Sequence, residues 1–206
     1  LFTISFFIGL GFIVCCEKGT AVIWLNENHV HSLDSFFAFS TQLGEGLFFL
    51  LVVIALLWRR FGDSLVVAVA WLSTGLTVQL LKRTAFTEYA RPVKYFEAID
   101  LNLVEGVEMA RWMSFPSGHT ATAFAMFLAL SIIFNKPVFS VLFFLGASIV
   151  GISRVYLAQH FFVDVVTGAA VGVTFTVVIN WFLRNSVWVT RADWLNRSFR
   201  KMSSDV

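Results

Sequence analysis

The feature that most constrains this chain is a succession of apolar runs, each long enough to cross much of a bilayer, separated by short polar connections. The hydrocarbon core must be crossed with every backbone polar group satisfied, and a helix of about 20 apolar residues does this. Residues 1–16, 46–58, 64–81, 120–134, 138–152 and 161–183 are such runs and predict six membrane-spanning helices. With 58% of residues hydrophobic and only 14% charged, the chain lacks the polar residues that a water-facing surface needs. The expected architecture is all-α: one six-helix membrane bundle over residues 1–183, followed by a basic cytoplasmic tail over 184–206.

The connections carry their own information. Between the first two runs, Leu33, Phe36, Phe37, Phe39 and Leu43 interleave with polar residues over 26–45, a pattern that suits an amphipathic helix lying in the membrane interface. His29 and His31 just before it read as exposed interface residues, because nothing nearby in sequence completes a metal set. Cys15 and Cys16 read as small buried apolar residues. A lipoprotein cleavage site is the weaker reading, since bulky Ile13 and Val14 precede the cysteines and no basic segment leads them. Leu at position 1 leaves the true start of the chain open. A formal net charge of +2 provides no basic patch for nucleic acid, and no internal repeat is visible.

Six spans place the loop after the first run, the long loop 82–114 and the short loop 154–159 on one side. Lys and Arg number seven there against eight on the other side, formed by Arg59, Arg60, Lys136 and five tail residues. By count alone the positive-inside rule barely decides, so orientation rests on the basic tail, with the three loops facing away from the cytoplasm. Those loops hold the unusual residues. A charge at membrane depth costs roughly 2.5 to 3.5 kcal/mol and is functional by default. Three such groups occur: Lys82-Arg83 with Arg91-Pro92, then Pro116-Ser117-Gly118-His119, and finally Ser153-Arg154 with His160 and Asp164.

In the second group, Pro116 suits a helix start, and small Ser117 and Gly118 allow an anion to approach the exposed N–H groups behind them. His119 projects from the same first turn. In the third, His160 and Asp164 are four apart and share a helix face, so the carboxylate can fix the imidazole tautomer and leave the other nitrogen as a nucleophile. Arg154 offers a planar fork for phosphate oxygens. Taken alone, the His–Asp pair reads as a satisfied polar pair ahead of half of a zinc site.

As a set, these motifs resemble a known family. Pro116-Ser117-Gly118-His119, and Ser153-Arg154 with five residues before His160 and three more before Asp164, are similar to the second and third signatures of the type-2 phosphatidic acid phosphatase superfamily. That family includes vanadium-dependent haloperoxidases and glucose-6-phosphatase, and its lipid phosphatases are six-span proteins with the site at the non-cytoplasmic face. The first signature departs from the usual form: position 84 is Thr, and eight residues separate Lys82 from Arg91. Lys82 is the expected cation and Arg83 its competitor.

The resemblance implies that His160 attacks phosphorus, that Asp164 orients it, and that His119 protonates the leaving group and then activates water. It implies phosphate binding by Lys82, Arg91, Ser117, Gly118 and Arg154, with no metal and no cofactor. The expected protein is a membrane lipid phosphatase, vanadate-sensitive and set in a bacterial inner membrane with its site facing the periplasm or exterior. Its partners are membrane lipids and a lipid phosphate substrate. Undecaprenyl diphosphate comes first, with phosphatidylglycerol phosphate, phosphatidate and lipid A phosphates also compatible. Phe86, Tyr89, Tyr95, Phe96, Trp112 and Met113 are candidates to cradle its chains. The alternatives are a catalytically inactive lipid-phosphate-binding membrane protein or a transporter. A transporter would place polar residues at mid-membrane, where the second and third runs are nearly bare.

Overall fold

The computed structural model describes residues 1–202, whose regular elements are all helices, with no strand among them. Three helices are long and apolar enough to cross a bilayer: α5 (Phe61–Thr84), α8 (Pro137–Tyr156) and α9 (Phe162–Asn185). Two further apolar segments are bent helix pairs, each a broken crossing or a re-entrant loop. The first joins α1 (Phe2–Cys15) to α2 (Thr20–Glu27) through a 93° bend. The second joins the segment His31–Gly44, which contains α3 (Asp34–Ser40), to α4 (Gly46–Leu57) through a 57° bend. With the shorter apolar helix α7 (Gly118–Phe134), the six expected runs are all helical. The interfacial helix expected over 26–45 is instead divided between α2, a turn of 3-10 helix, and α3. A one-turn helix, α6 (Pro92–Tyr95), lies in the long loop.

The bundle is organised around α7, which packs on α9, α8 and α5. Ala121, Ala123, Ala125 and Ala129 on α7 are fully buried, and small residues of this kind let backbones approach where lipid offers no hydrophobic drive to association. Gly168 and Gly172 of α9 complete the fit. A Cβ at Gly168 would lie 2.5 Å from the Ser117 carbonyl oxygen, and one at Gly172 would lie 2.1 Å from that of Ala121. This contact brings the first turn of α9 beside the first turn of α7. At the far end, α7 stops at Asn135 in the left-handed region (φ 46°), and Pro137 opens α8, the stop-and-start chemistry that Asn and Pro favour.

Beyond α9, two further one-turn helices, α10 (Val187–Thr190) and α11 (Phe199–Met202), belong to the segment that the sequence marks as a tail. This segment folds back onto the α4–α5 turn: Phe61 N–H donates to the Arg197 carbonyl at 3.0 Å, Arg60 to Asn196 Oδ1 at 2.6 Å, and Phe199 packs edge-on against Trp58 and Phe61. Residues 203–206 of the expected tail lie outside the described residues. Cys15 is exposed and Cys16 half-buried, which corrects the expectation that both are buried; the end of α1 turns its side chains outward there.

Candidate active site

Ser117 caps α7, with its Oγ 2.9 Å from Thr120 Oγ1 and 3.5 Å from the Thr120 N–H. This satisfies a helix start without water. The Ser117 N–H donates to the Asp164 carbonyl at 2.9 Å, so the two helix starts are tied through their backbones. Gly118 and His119 follow in the first turn of α7, with His119 half-buried and its Nε2 3.6 Å from Glu45 Oε1.

The short loop between α8 and α9 folds back on Arg154. Its carbonyl accepts from both the Gln159 and His160 N–H groups at 3.0 Å. Ala158 sits at φ 50°, a left-handed conformation that costs a residue with a Cβ roughly 1 to 2 kcal/mol. The turn delivers His160, only 1% exposed, with Nδ1 3.3 Å from Asp164 Oδ2. Asp164 Oδ2 also accepts from the Phe161 N–H at 3.0 Å and from the Ser114 hydroxyl. The carboxylate is thus held by three donors, and the ring is held by the carboxylate. Burial, then the nearby charges of Arg91, Lys82 and Arg154, push the His160 imidazole well below its usual range. A neutral ring with Nδ1 engaged keeps a lone pair on Nε2.

A cavity of about 910 Å³ opens in front of this ring, lined by Thr41, Glu45, Lys82, Arg91, His119, Arg154, Gln159 and His160 among others. Lys82 is buried near the end of α5 and donates to the Met113 carbonyl at 2.8 Å, whereas Arg83 points outward and is exposed. Arg91, on the far side of the long loop, donates to the Trp112 carbonyl at 3.0 Å and to Gln159 Oε1 at 2.9 Å. Burial lowers the pKa of the Arg91 guanidinium and the charge of Asp164 raises it. Arg154 donates to Thr41 Oγ1 and, at 3.3 Å, to Gln159 Oε1, while its buried Nε has no partner. A buried guanidinium N–H without a protein partner beside a cavity is a donor suited to an anion oxygen.

All the expected polar residues therefore gather at one place, with Asp164 and Ser117 behind the wall rather than in the lining. The aromatic residues expected to cradle a lipid chain do not line it. Phe86, Tyr89 and Phe115 pack on one another, and Tyr95 and Phe96 pack on Phe161. Sequence reasoning missed Gln159, whose amide joins two cations, together with Thr41, Glu45 and Ser114. Their partners are distant in the chain, and the one local signal was the position of Gln159 beside His160.

Comparisons with known proteins bear on the fold and the family. The fold is similar to that in the crystal structure of Aquifex aeolicus LpxE, with a TM-score of 0.70 and 29% identity, covering 78% of this chain and 92% of that one. It is also similar to that of a PAP2-type phosphatidylglycerolphosphate phosphatase from Bacillus subtilis, with a TM-score of 0.64 and 20% identity over 91% of this chain and 96% of that one. Lipid A 1-phosphatase from Rhizobium etli is 33% identical over 51% of this chain and 44% of its own length. The enzyme of that name from Porphyromonas gingivalis is 45% identical over 29% of this chain and 14% of its own length. The chain thus spans less than half the length of these curated relatives. The family model of the PAP2 superfamily matches residues 63–188, which contain every expected site residue, and the chain belongs to that superfamily.

Proposed function

We propose that this protein is a membrane phosphatase that removes a phosphate from an envelope lipid through a phosphohistidine, with the 1-phosphate of lipid A as its first substrate. The observation that carries the reaction class is the buried His160–Asp164 pair facing a polar cavity with Lys82, Arg91, Arg154 and His119 in its wall. The relatives named lipid A 1-phosphatase move that substrate ahead of undecaprenyl diphosphate, to which no residue pointed.

In the first half-reaction, His160 Nε2 attacks phosphorus as the bond from phosphorus to the lipid oxygen breaks. His119, protonated once the negative phosphate offsets the neighbouring cations, gives its proton to that oxygen. Asp164 holds Nδ1–H and stabilises the charge that develops on the ring. In the second half, His119 takes a proton from water, which attacks phosphorus and breaks the P–N bond to release inorganic phosphate. Lys82, Arg91 and Arg154 neutralise the equatorial oxygens in both steps, with the N–H groups of Gly118 and His119 as backbone donors and Ser117 setting their turn. These groups need no metal for the transfer, and vanadate would mimic its trigonal-bipyramidal transition state.

The test is phosphate release by the purified full chain from lipid A 1-phosphate, undecaprenyl diphosphate, phosphatidylglycerol phosphate and phosphatidate, with and without vanadate. Release from lipid A 1-phosphate with trapping of labelled phosphate on His160 is the expected result. Preference for another of the four corrects the substrate. Release from none, with lipid phosphate still bound, supports an inactive binding protein.

A further inference from the structure

A second group of polar side chains lies outside the cavity, where the strap between α2 and α3 crosses the end of α8. The His29 side chain is only 6% exposed, despite the expectation that it faces water, and its ring stacks on Tyr156 with centroids 5.4 Å apart. Its Nε2 lies 2.8 Å from Asp34 Oδ1, yet it forms no aligned hydrogen bond and has no other partner. His31 Nδ1 lies 3.4 Å from Asp34 Oδ2 on an exposed ring. The three ligand atoms fall within 4.8 Å of one another, and among the described residues no other group of His, Cys, Asp or Glu converges in this way. A buried ring nitrogen beside a carboxylate oxygen, without an aligned hydrogen bond to it, leaves a ligand atom unused next to a second one.

We propose that His29, His31 and Asp34 bind one divalent cation of the zinc class. Two imidazoles and a carboxylate are the donor set that borderline ions prefer over magnesium or calcium, and they leave a coordination position for water. Bonds of about 2.1 Å are reached by turning the exposed His31 ring and sliding the Asp34 carboxylate. The surroundings supply the outer support that such sites need: the Tyr156 hydroxyl lies 2.7 Å from Asp34 Oδ1 and 2.9 Å from the Val30 carbonyl. The ion would be structural rather than part of the phosphoryl transfer. It pins the start of α3 to Tyr156, two residues beyond Arg154, on the helix whose Arg154 guanidinium is held by Thr41 at the other end of the same strap. The ion thereby sets the wall from which Arg154 reaches the cavity. This inference does not depend on which lipid is the substrate.

The experiment is zinc titration of the untagged, chelator-stripped full chain in detergent, reading bound metal by mass spectrometry and stability by thermal melt. One equivalent should bind, and a hundredfold excess over Kd should raise Tm by about 5 to 10 °C. His31→Ala removes an exposed ligand without opening the interior, and it should weaken zinc binding by about 100-fold or more. Tyr156→Phe should weaken it about 10- to 100-fold. Asp34→Asn, which keeps an acceptor for Tyr156, should also abolish the zinc-dependent rise in Tm. The proposal is overturned if stripped wild-type protein takes up no zinc, or if His31→Ala and Asp34→Asn bind it as wild type does. Phosphate release at a temperature well below either melt is read separately. Turnover by the stripped protein there leaves the metal-free transfer intact, so failure of one reading does not imitate failure of the other.

Discussion

At His160 a single carboxylate decides what the ring can do. Asp164 takes Nδ1, burial and three neighbouring cations keep the ring neutral, and the free nitrogen faces the cavity. His160→Ala and His119→Ala should each lower phosphatase turnover by about 10³-fold or more, since each removes a step of the covalent route. Each variant should keep the wild-type thermal melt. The depressed His160 pKa also has a sign that can be checked. A nucleophile must be unprotonated, so the acid limb of kcat/KM that reports this ring should lie well below pH 6.5, the value of an ordinary imidazole. An acid limb at or above 6.5 that His160 substitution removes would contradict the burial argument. Lys82 and Arg83 are adjacent, but on a helix they point about 100° apart. Lys82 lines the cavity and Arg83 is exposed. Lys82→Ala should cost about 2.7 to 4 kcal/mol of transition-state stabilisation, as loss of an oxyanion donor does. Arg83→Ala should leave most of the turnover. Steady-state kinetics on the two variants decides between them.

At the scale of elements, the site is the meeting of two helix starts, and what holds them together lies deeper in the membrane. Gly168 and Gly172 let α9 press against the carbonyl oxygens of Ser117 and Ala121. Gly172→Ala should force the two helices apart or strain both, costing about 1 to 3 kcal/mol. A thermal melt should show it as a fall of several degrees, with weaker phosphate turnover because Ser117 and Asp164 lose register. Gly11→Ala on α1, where an added Cβ meets nothing within 4 Å, is the matched control and should leave both unchanged. The same scale explains why the strap from α2 to α3 does not form the single interfacial helix expected of it. Part of its polar content is spent on tertiary contacts: Asn26 pairs with the Asn102 backbone, Asp34 with Tyr156, and Thr41 with Arg154.

For the whole molecule, the charges separate by end. Lys82, Arg91 and Arg154 gather at the cavity, while Arg59 reaches the Ile133 carbonyl at 3.3 Å and Arg60 reaches Asn196, so the remaining basic turns and the tail meet at the opposite end. We propose that this second end faces the cytoplasm, an orientation that rests on the basic tail rather than on the overall Lys and Arg count. With Cys15 and Cys16 replaced, a thiol reagent confined to the periplasm should label Glu105→Cys in intact cells and spare Lys136→Cys until the inner membrane is opened. The reverse pattern would invert the orientation and place the cavity in the cytoplasm.

What the sequence determined alone was whatever depends on neighbours along the chain. Long apolar runs dictate helices in a bilayer because a helix satisfies its backbone polar groups within one segment, whereas the alternative, a closed β-barrel, needs short alternating strands. The four-residue spacing of His160 and Asp164, and the turn that begins at Pro116, are legible for the same reason. The tertiary structure decided what depends on residues far apart in sequence. It placed Gln159 between Arg91, 68 positions away, and Arg154, and brought Thr41 to Arg154 across 113 positions. It bent the first two apolar segments sharply and buried His29 against Asp34 and Tyr156 where sequence spacing suggested exposed side chains. Periodicity records which face of a helix is apolar, but the partner that a polar side chain finds is set by how helices cross, and that is fixed by contacts such as Gly172 on Ala121 that leave no local pattern of their own.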